Sequence, residues 1–142
     1  MIKHATVQQA HQRQQSGDPY VDVRSVVEFD QGHPAGAANV PLFDVDAATR
    51  QMRPNADFVA VMRKNFTPES PLLIGCQAGI RSVQACEALE AAGFTNLTNV
   101  LGGFGGSPMG DVGWIQARLP IERTAGDGHD YASMLRKTAE AH

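Results

Sequence analysis

The sequence predicts an α/β domain, with a mostly parallel central sheet and helices on both faces. Three observations predict it. Short apolar runs, Tyr20-Val21-Asp22-Val23, Leu72-Leu73-Ile74-Gly75 and Leu97 to Leu101, alternate with longer segments whose apolar residues fall at helical spacing. Strands separated by helix-length segments pair in parallel, because a crossover helix returns the chain to run in the same direction. The chain has 142 residues, 42% of them hydrophobic, which fits one core and leaves little room for two.

The first helix is expected over Thr6 to Ser16, with Val7, Ala10, His11 and Gln14 on one face and Gly17 and Pro19 ending it. Tyr20 to Val23 is a strand. Ser25 and Glu28 stand at capping-box spacing, so a short helix opens at Ser25 and closes near Gly32. Ala37 to Val40 is a second extended piece, stopped by Pro41. Asn55 is read as the N-cap of a helix to Asn65, with Phe58, Val61, Met62 and Phe66 at helical spacing. Residues 67–71 form a turn, and Leu72 to Gly75 is a buried-type strand. A helix starts at Gly79 or Ile80 and runs to Ala92, with Gly93 just past its end. Leu97 to Leu101 is the next strand, followed by Gly102-Gly103-Phe104-Gly105-Gly106. Residues 124–130 read as a linker after a domain over 1–123, and Asp130 caps a last helix from Tyr131 to about Glu140.

Composition excludes several functions. Twelve Lys and Arg against fifteen Asp and Glu leave a formal charge of −3, without the basic run that a phosphate backbone rewards, so no nucleic-acid partner is expected. No stretch approaches the roughly 20 apolar residues of a membrane span, and the Gln-rich N-terminus lacks an apolar signal core, so a cytoplasmic protein is expected. Two cysteines cannot build a disulfide framework, and the absence of Cys-x-x-Cys and His-x-x-x-His pairs argues against a metal site. No cofactor is expected.

In parallel α/β sheets, ligand sites lie beyond the carboxyl ends of the strands. That rule selects the loop beginning at Cys76 and the glycine cluster at 102–106. The first reads Cys76-Gln77-Ala78-Gly79-Ile80-Arg81-Ser82: a strand, a cysteine, a tight loop and an arginine in the first helical turn. The backbone N–H groups of Gln77 through Ser82, with those of the helix N-terminus, can form an anion cradle. A field that holds an anion also favours a thiolate over a thiol. Gly79 permits the backbone angle that turns N–H groups inward, and Arg81 adds a fixed positive charge. Together they describe an activated sulfur nucleophile beside an anion site.

These residues resemble the single-domain rhodaneses. The family's loop, Cys-x-x-Gly-x-Arg-Ser, is present at 76–82. Its N-terminal signature is present as Asp22-Val23-Arg24, Glu28-Phe29 and Gly32-His33-Pro34-Ala35-Gly36-Ala37-Ala38-Asn39-Val40-Pro41. Its Gly-Gly-aromatic pattern is present as Gly102-Gly103-Phe104. The resemblance covers about residues 4–123 and implies a three-layer rhodanese-like fold. It departs at Gly105 to Gly113, a longer loop before Trp114 and Leu119-Pro120-Ile121 that lies near the mouth of the site and bears on substrate choice.

The resemblance implies sulfur transfer. The Cys76 thiolate takes the outer sulfur of thiosulfate or a persulfide donor, sulfite or a thiolate leaves, and cyanide or a thiol removes the sulfur from the Cys76 persulfide. A protein thiol is a possible partner, which leaves a persulfide carrier or interaction module as the alternative reading. Cys-dependent phosphatases and arsenate reductases place five residues between Cys and Arg; here there are four, and Gly75 replaces their preceding His. Asp22 and Arg24 end a strand within possible reach of the loop. The resemblance suggests a supporting hydrogen-bond role for Asp22, against a structural pair with Arg24 or Glu28. Cys86, about 10 Å along the helix at ~1.5 Å per residue, lies too far for an easy disulfide to Cys76 and reads as a buried structural thiol. His33 anchors a turn, and Trp114 belongs to the core.

Overall fold

A computed structural model describes residues 1–126 and 128–136. In chain order the elements are β1 (Lys3–Ala5), α1 (Val7–Gln15), β2 (Tyr20–Asp22), α2 (Val26–Gln31), β3 (His33–Pro34), β4 (Ala38–Asn39), β5 (Phe43–Val45), β6 (Met52–Pro54), α3 (Phe58–Asn65), β7 (Leu72–Gly75), α4 (Arg81–Ala91), β8 (Leu97–Val100), β9 (Ile121–Glu122) and α5 (Tyr131–Arg136). Among the described residues, one five-stranded sheet has the order β1-β8-β7-β2-β4, and every adjacent pair in it is parallel. Two short antiparallel ribbons, β3 with β9 and β5 with β6, lie outside it.

The three layers follow from strand alternation, since successive side chains leave opposite faces. Leu72 and Ile74 of β7 join Val21, Phe58, Val61, Met62, Ala85, Leu89 and Met134 on the α3, α4 and α5 side. Leu73, between them, joins Val7, Ala10, Tyr20, Phe29 and Trp114 on the α1 and α2 side. β7 is the middle strand and all four of its residues are buried. A continuous apolar run there is what a strand covered on both faces requires.

Helix starts show where local chemistry suffices. Ser25 and Glu28 form the expected capping box, and Thr6 and Gln9 form a second one at α1. Asn55 does not cap α3. The helix begins at Phe58 with Asp57 in the cap position, and the Asn55 carboxamide accepts from the Asp57 N–H while donating to Pro41 O and the Tyr131 hydroxyl. Those two tertiary bonds hold it in a turn two residues upstream. The α4 helix begins at Arg81, one or two residues later than the pattern implies.

The C-terminal segment packs against the domain. Met134 is 1% exposed within the core, the His129 carbonyl accepts from the Asn39 N–H, and Asp130 accepts from the Ser133 N–H at the start of α5. The expected continuation of this helix to Glu140 lies outside the described residues. Among the described residues, no helix is long and apolar enough to cross a membrane.

Candidate active site

Cys76 leaves the carboxyl end of the middle strand, between the ends of β2 and β8, and is 2% exposed. Gly75, directly before it, is a packing necessity. A Cβ there would collide with the Tyr20 hydroxyl, which reaches up from β2. The Tyr20 phenol is held well above its ordinary range, chiefly by burial and then by the neighbouring Asp22 and Cys76.

Gly79 takes φ +88°, the left-handed conformation the loop reading requires, and its N–H donates to Cys76 Sγ at 3.1 Å. Of the amides from Gln77 to Ser82, this is the one at hydrogen-bond distance from the sulfur. Cys76 Sγ also donates to Ser82 Oγ at 3.3 Å, and Ser82 Oγ donates to Asn99 Oδ1 at 2.5 Å. Ser82 is fully buried in the first turn of α4. Ile80 is 62% exposed and Ala78 lines a cavity over the loop, so their side chains face outward.

Arg81 does not bond to the sulfur in this structure. Its guanidinium makes a two-pronged pair with Glu28, at 2.7 and 2.9 Å to the two carboxylate oxygens. Such fork-to-fork geometry is strong and orients both groups. It lowers Glu28 to about 2, with the Arg81 hydrogen bond the largest cause, and raises Arg81 above its ordinary value. The sulfur of Cys76 contributes to the Arg81 shift by charge alone. Glu28 thus serves two ends, as the capping-box partner of Ser25 and as the anchor of the loop arginine.

Asp22 and Arg24 form the structural pair, with three hydrogen bonds from the buried guanidinium to the carboxylate at 2.7 to 3.0 Å. Arg24 extends further: it donates to Gln77 Oε1 at 3.3 Å and to Gly32 O at 2.7 Å, and lies 4.4 Å from the centre of the Phe104 ring. One side chain therefore ties the end of β2 to both loops selected from the sequence. Asn39 donates to the carbonyls of Asp22 and Arg24 from β4 and fixes the same corner.

The glycine cluster forms the second wall. Phe104 N–H donates to Cys76 O at 2.8 Å, and Gly105 N–H donates to Gln77 O at 2.9 Å. Gly103 has φ +57°, and a Cβ on it would collide with the Cys76 carbonyl. No side chain fits between the two loops. Trp114 is fully buried, and its indole N–H donates to Pro120 O at 2.7 Å. His33 is buried too, stacked on Phe29, with Nδ1 2.7 Å from Phe29 O.

A cavity of about 390 Å³ lies over the loop, lined by His4, Gly79, Ile80, Val83, Met109 and Asp111 among others. The 105–113 loop forms one side of it, and Met109 and Val112 are exposed there. A second cavity of the same volume opens near the start of β2, beside Pro19, Asn65 and His129, and shares no residue with the 76–82 loop. Among the described residues, no three His, Cys, Asp or Glu side chains gather in a group able to hold a metal ion.

Sequence reasoning missed three residues here. The pattern around Glu28 signals a helix cap and gives no sign of Arg81; Asn99 and His4, which meet at 3.2 Å across paired strands, carry no local signal. The residues are separated by 53 and 95 positions, and no local pattern joins them.

Comparison with known proteins places this geometry. Residues 6–106 match the Rhodanese-like domain. The chain is 38% identical over 113 residues to "Thiosulfate sulfurtransferase 16, chloroplastic" of Arabidopsis thaliana, covering 80% of this chain and 87% of that protein. It is 30% identical over 123 residues to "Thiosulfate sulfurtransferase GlpE" of Haemophilus influenzae, covering 87% and 97%. Among solved structures, Rv0390 from M. tuberculosis superposes with a TM-score of 0.70 at 27% identity, covering 86% of this chain and 98% of that one. The rhodanese-like domain of Alr3790 from Anabaena superposes with a TM-score of 0.67 at 19% identity, covering 87% and 81%, which speaks to the fold alone. With most of its length matched, and with a cysteine loop opening from the middle strand of a parallel sheet, the chain belongs to the rhodanese-like family.

Proposed function

We propose that the protein is a sulfurtransferase that carries a sulfane sulfur as a persulfide on Cys76. The observation that carries this reading is the setting of that sulfur: it ends the middle strand, accepts the Gly79 N–H, and touches the Ser82 hydroxyl. Family membership and relatives named thiosulfate sulfurtransferases support it. In the first half-reaction the Cys76 thiolate attacks the outer sulfur of thiosulfate; the S–S bond of the donor breaks and sulfite leaves with its electron pair. In the second, a thiolate or cyanide attacks the terminal sulfur, and the Cys76 thiolate departs.

The Gly79 N–H already faces the sulfur and can donate to either anionic form, thiolate or persulfide. Arg81, fixed by Glu28, supplies positive charge at the loop for an incoming anionic donor. Gln77, held by Arg24, and the 102–105 segment fix the loop's far side. Both cysteines are free thiols, which fits a reducing compartment such as the cytoplasm.

A second reading, a carrier that hands its sulfur to a protein thiol, is favoured by one observation. Exposed Ile80 and Met109 line the cavity over the loop, an apolar surface that a small anion does not require.

Intact mass after incubation with thiosulfate tests the reading. A gain of about 32 Da on residue 76, reversed by cyanide and absent in Cys76→Ser, is expected. An unchanged mass overturns it. Rapid steady-state turnover with cyanide supports the enzyme, and slow turnover with efficient transfer to a protein thiol supports the carrier.

A further inference from the structure

A line of hydrogen bonds runs from the Cys76 sulfur to the surface. Cys76 Sγ donates to Ser82 Oγ at 3.3 Å, Ser82 Oγ donates to Asn99 Oδ1 at 2.5 Å, and Asn99 Nδ2 lies 3.2 Å from His4 Nδ1. Ser82 and Asn99 are almost fully buried, whereas His4 is exposed. Register places His4 directly opposite Asn99 in the β1–β8 pair.

The line has a direction. Ser82 has one hydroxyl proton, and here it goes to Asn99, so the serine accepts from a thiol. Ionising the sulfur in that arrangement would set a negative charge against a serine lone pair. For Ser82 to donate to the thiolate, Asn99 must present its NH₂ to Ser82 Oγ. Its carbonyl oxygen then faces His4 Nδ1, which must carry a proton. A neutral ring can offer Nδ1 bare or protonated, according to tautomer; an imidazolium offers only N–H.

We propose that Asn99 and His4 are positioning residues for the Cys76 nucleophile. The proton state of His4 selects which way the Asn99 amide faces, and the amide decides whether Ser82 accepts from a thiol or donates to a thiolate. No proton crosses the amide. The sulfur loses its proton to solvent and the imidazole gains one from solvent, so the site passes from thiol with neutral His4 to thiolate with imidazolium at unchanged net charge. The charged side chain lining the cavity with His4 is Asp111, from the 105–113 loop; the start of α4 contributes only Ile80 and Val83 there, and Lys3, next along β1, bonds to Asn96.

The inference rests on Cys76 being the reacting thiol, and its test does not require sulfur transfer. Iodoacetamide labelling of residue 76, resolved by peptide mass, is followed from pH 5 to 10 in the wild type, His4→Gln, Ser82→Ala and the double variant. Gln can donate or accept but carries no charge, so the strand pair is kept while the proton switch is lost. Below about pH 7 the wild type should label about threefold to tenfold faster than His4→Gln, the scale of one hydrogen bond to a charged group shared between two tautomers. The profiles should converge above about pH 9. In the Ser82→Ala background the His4→Gln difference should vanish, because the signal passes through the hydroxyl. Superimposed profiles overturn the proposal. So does an undiminished difference without Ser82, which would assign the effect to the bare charge of the imidazolium. If labelling behaves as expected but thiosulfate adds no sulfur, the hydrogen-bonded line stands and the sulfurtransferase reading falls.

Discussion

Cys76 and Cys86 lie ten residues apart in the same apolar cluster, and both are almost fully buried. Their surroundings differ in kind. Cys76 ends a strand, where a loop N–H and a serine hydroxyl reach the sulfur. Cys86 sits mid-helix beside Ala85 and Leu89, and burial, its largest cause, pushes it up to about 12, with the charge on Cys76 adding to it. Burial by itself therefore does not distinguish the two thiols. The polar groups within reach of the sulfur do, and they gather at the carboxyl end of the strand, not in the middle of the helix.

The largest way to break that contrast is to force the second wall off the Cys76 loop. Gly103→Ala sets a methyl group against the Cys76 carbonyl at a positive φ. Strain of this kind costs about 1–3 kcal/mol, and displacing the loop should reduce sulfur transfer by at least about 100-fold, as misplacement near 1 Å does elsewhere. Urea unfolding and steady-state kinetics read the two effects separately. Gly17→Ala, also at positive φ but in open space, should lose stability alone.

A middle-sized effect lies in acid. The folded state holds Glu28 at about 2 against an ordinary value of 4.5, so it binds fewer protons than the unfolded chain between those values. The Glu28–Arg81 pair should stabilise the protein fully above about pH 4.5 and lose that contribution as pH falls through about 2. Glu28→Gln should flatten this portion of the stability profile measured by urea midpoints. The same variant frees Arg81 from its anchor and should weaken capture of an anionic donor.

The smallest effect sharpens the contrast at high pH. With Cys86 raised from about 9 to about 12, its neutral form is favoured by folding. That stabilisation is complete below about pH 9 and is lost as pH rises toward 12. Cys86→Ala should remove this alkaline slope and leave sulfur uptake intact, and at pH 8 iodoacetamide should modify residue 76 and spare residue 86. Labelling of Cys86 at a comparable rate would erase the distinction between the two thiols.

Both loops of the site were legible because their chemistry is local. A strand leading into Cys76, a glycine three residues on, an arginine five residues on, and Gly102, Gly103 and Gly105, where no Cβ fits, all lie within short stretches of chain. The Ser25–Glu28 box was legible for the same reason. The edge strand β1 and the β5–β6 ribbon were not. Each spans three residues, too few for a period to register, and β1 exists through its pairing with a strand 95 residues away. Asn55 misled because its side chain was claimed by Pro41 and Tyr131 instead of by its own helix.

The sequence by itself determined that a parallel sheet would end in a cysteine loop with Gly79 and Arg81 at fixed offsets, because hydrophobic period and turn chemistry act over a few residues. The tertiary structure alone decided which partner each polar side chain took: Arg81 with Glu28, Arg24 with Gln77 and Phe104, Ser82 with Asn99, and Asn99 in turn with His4. Those choices depend on strand order and register, and a hydrogen bond between residues tens of positions apart leaves no trace until the sheet has brought them together.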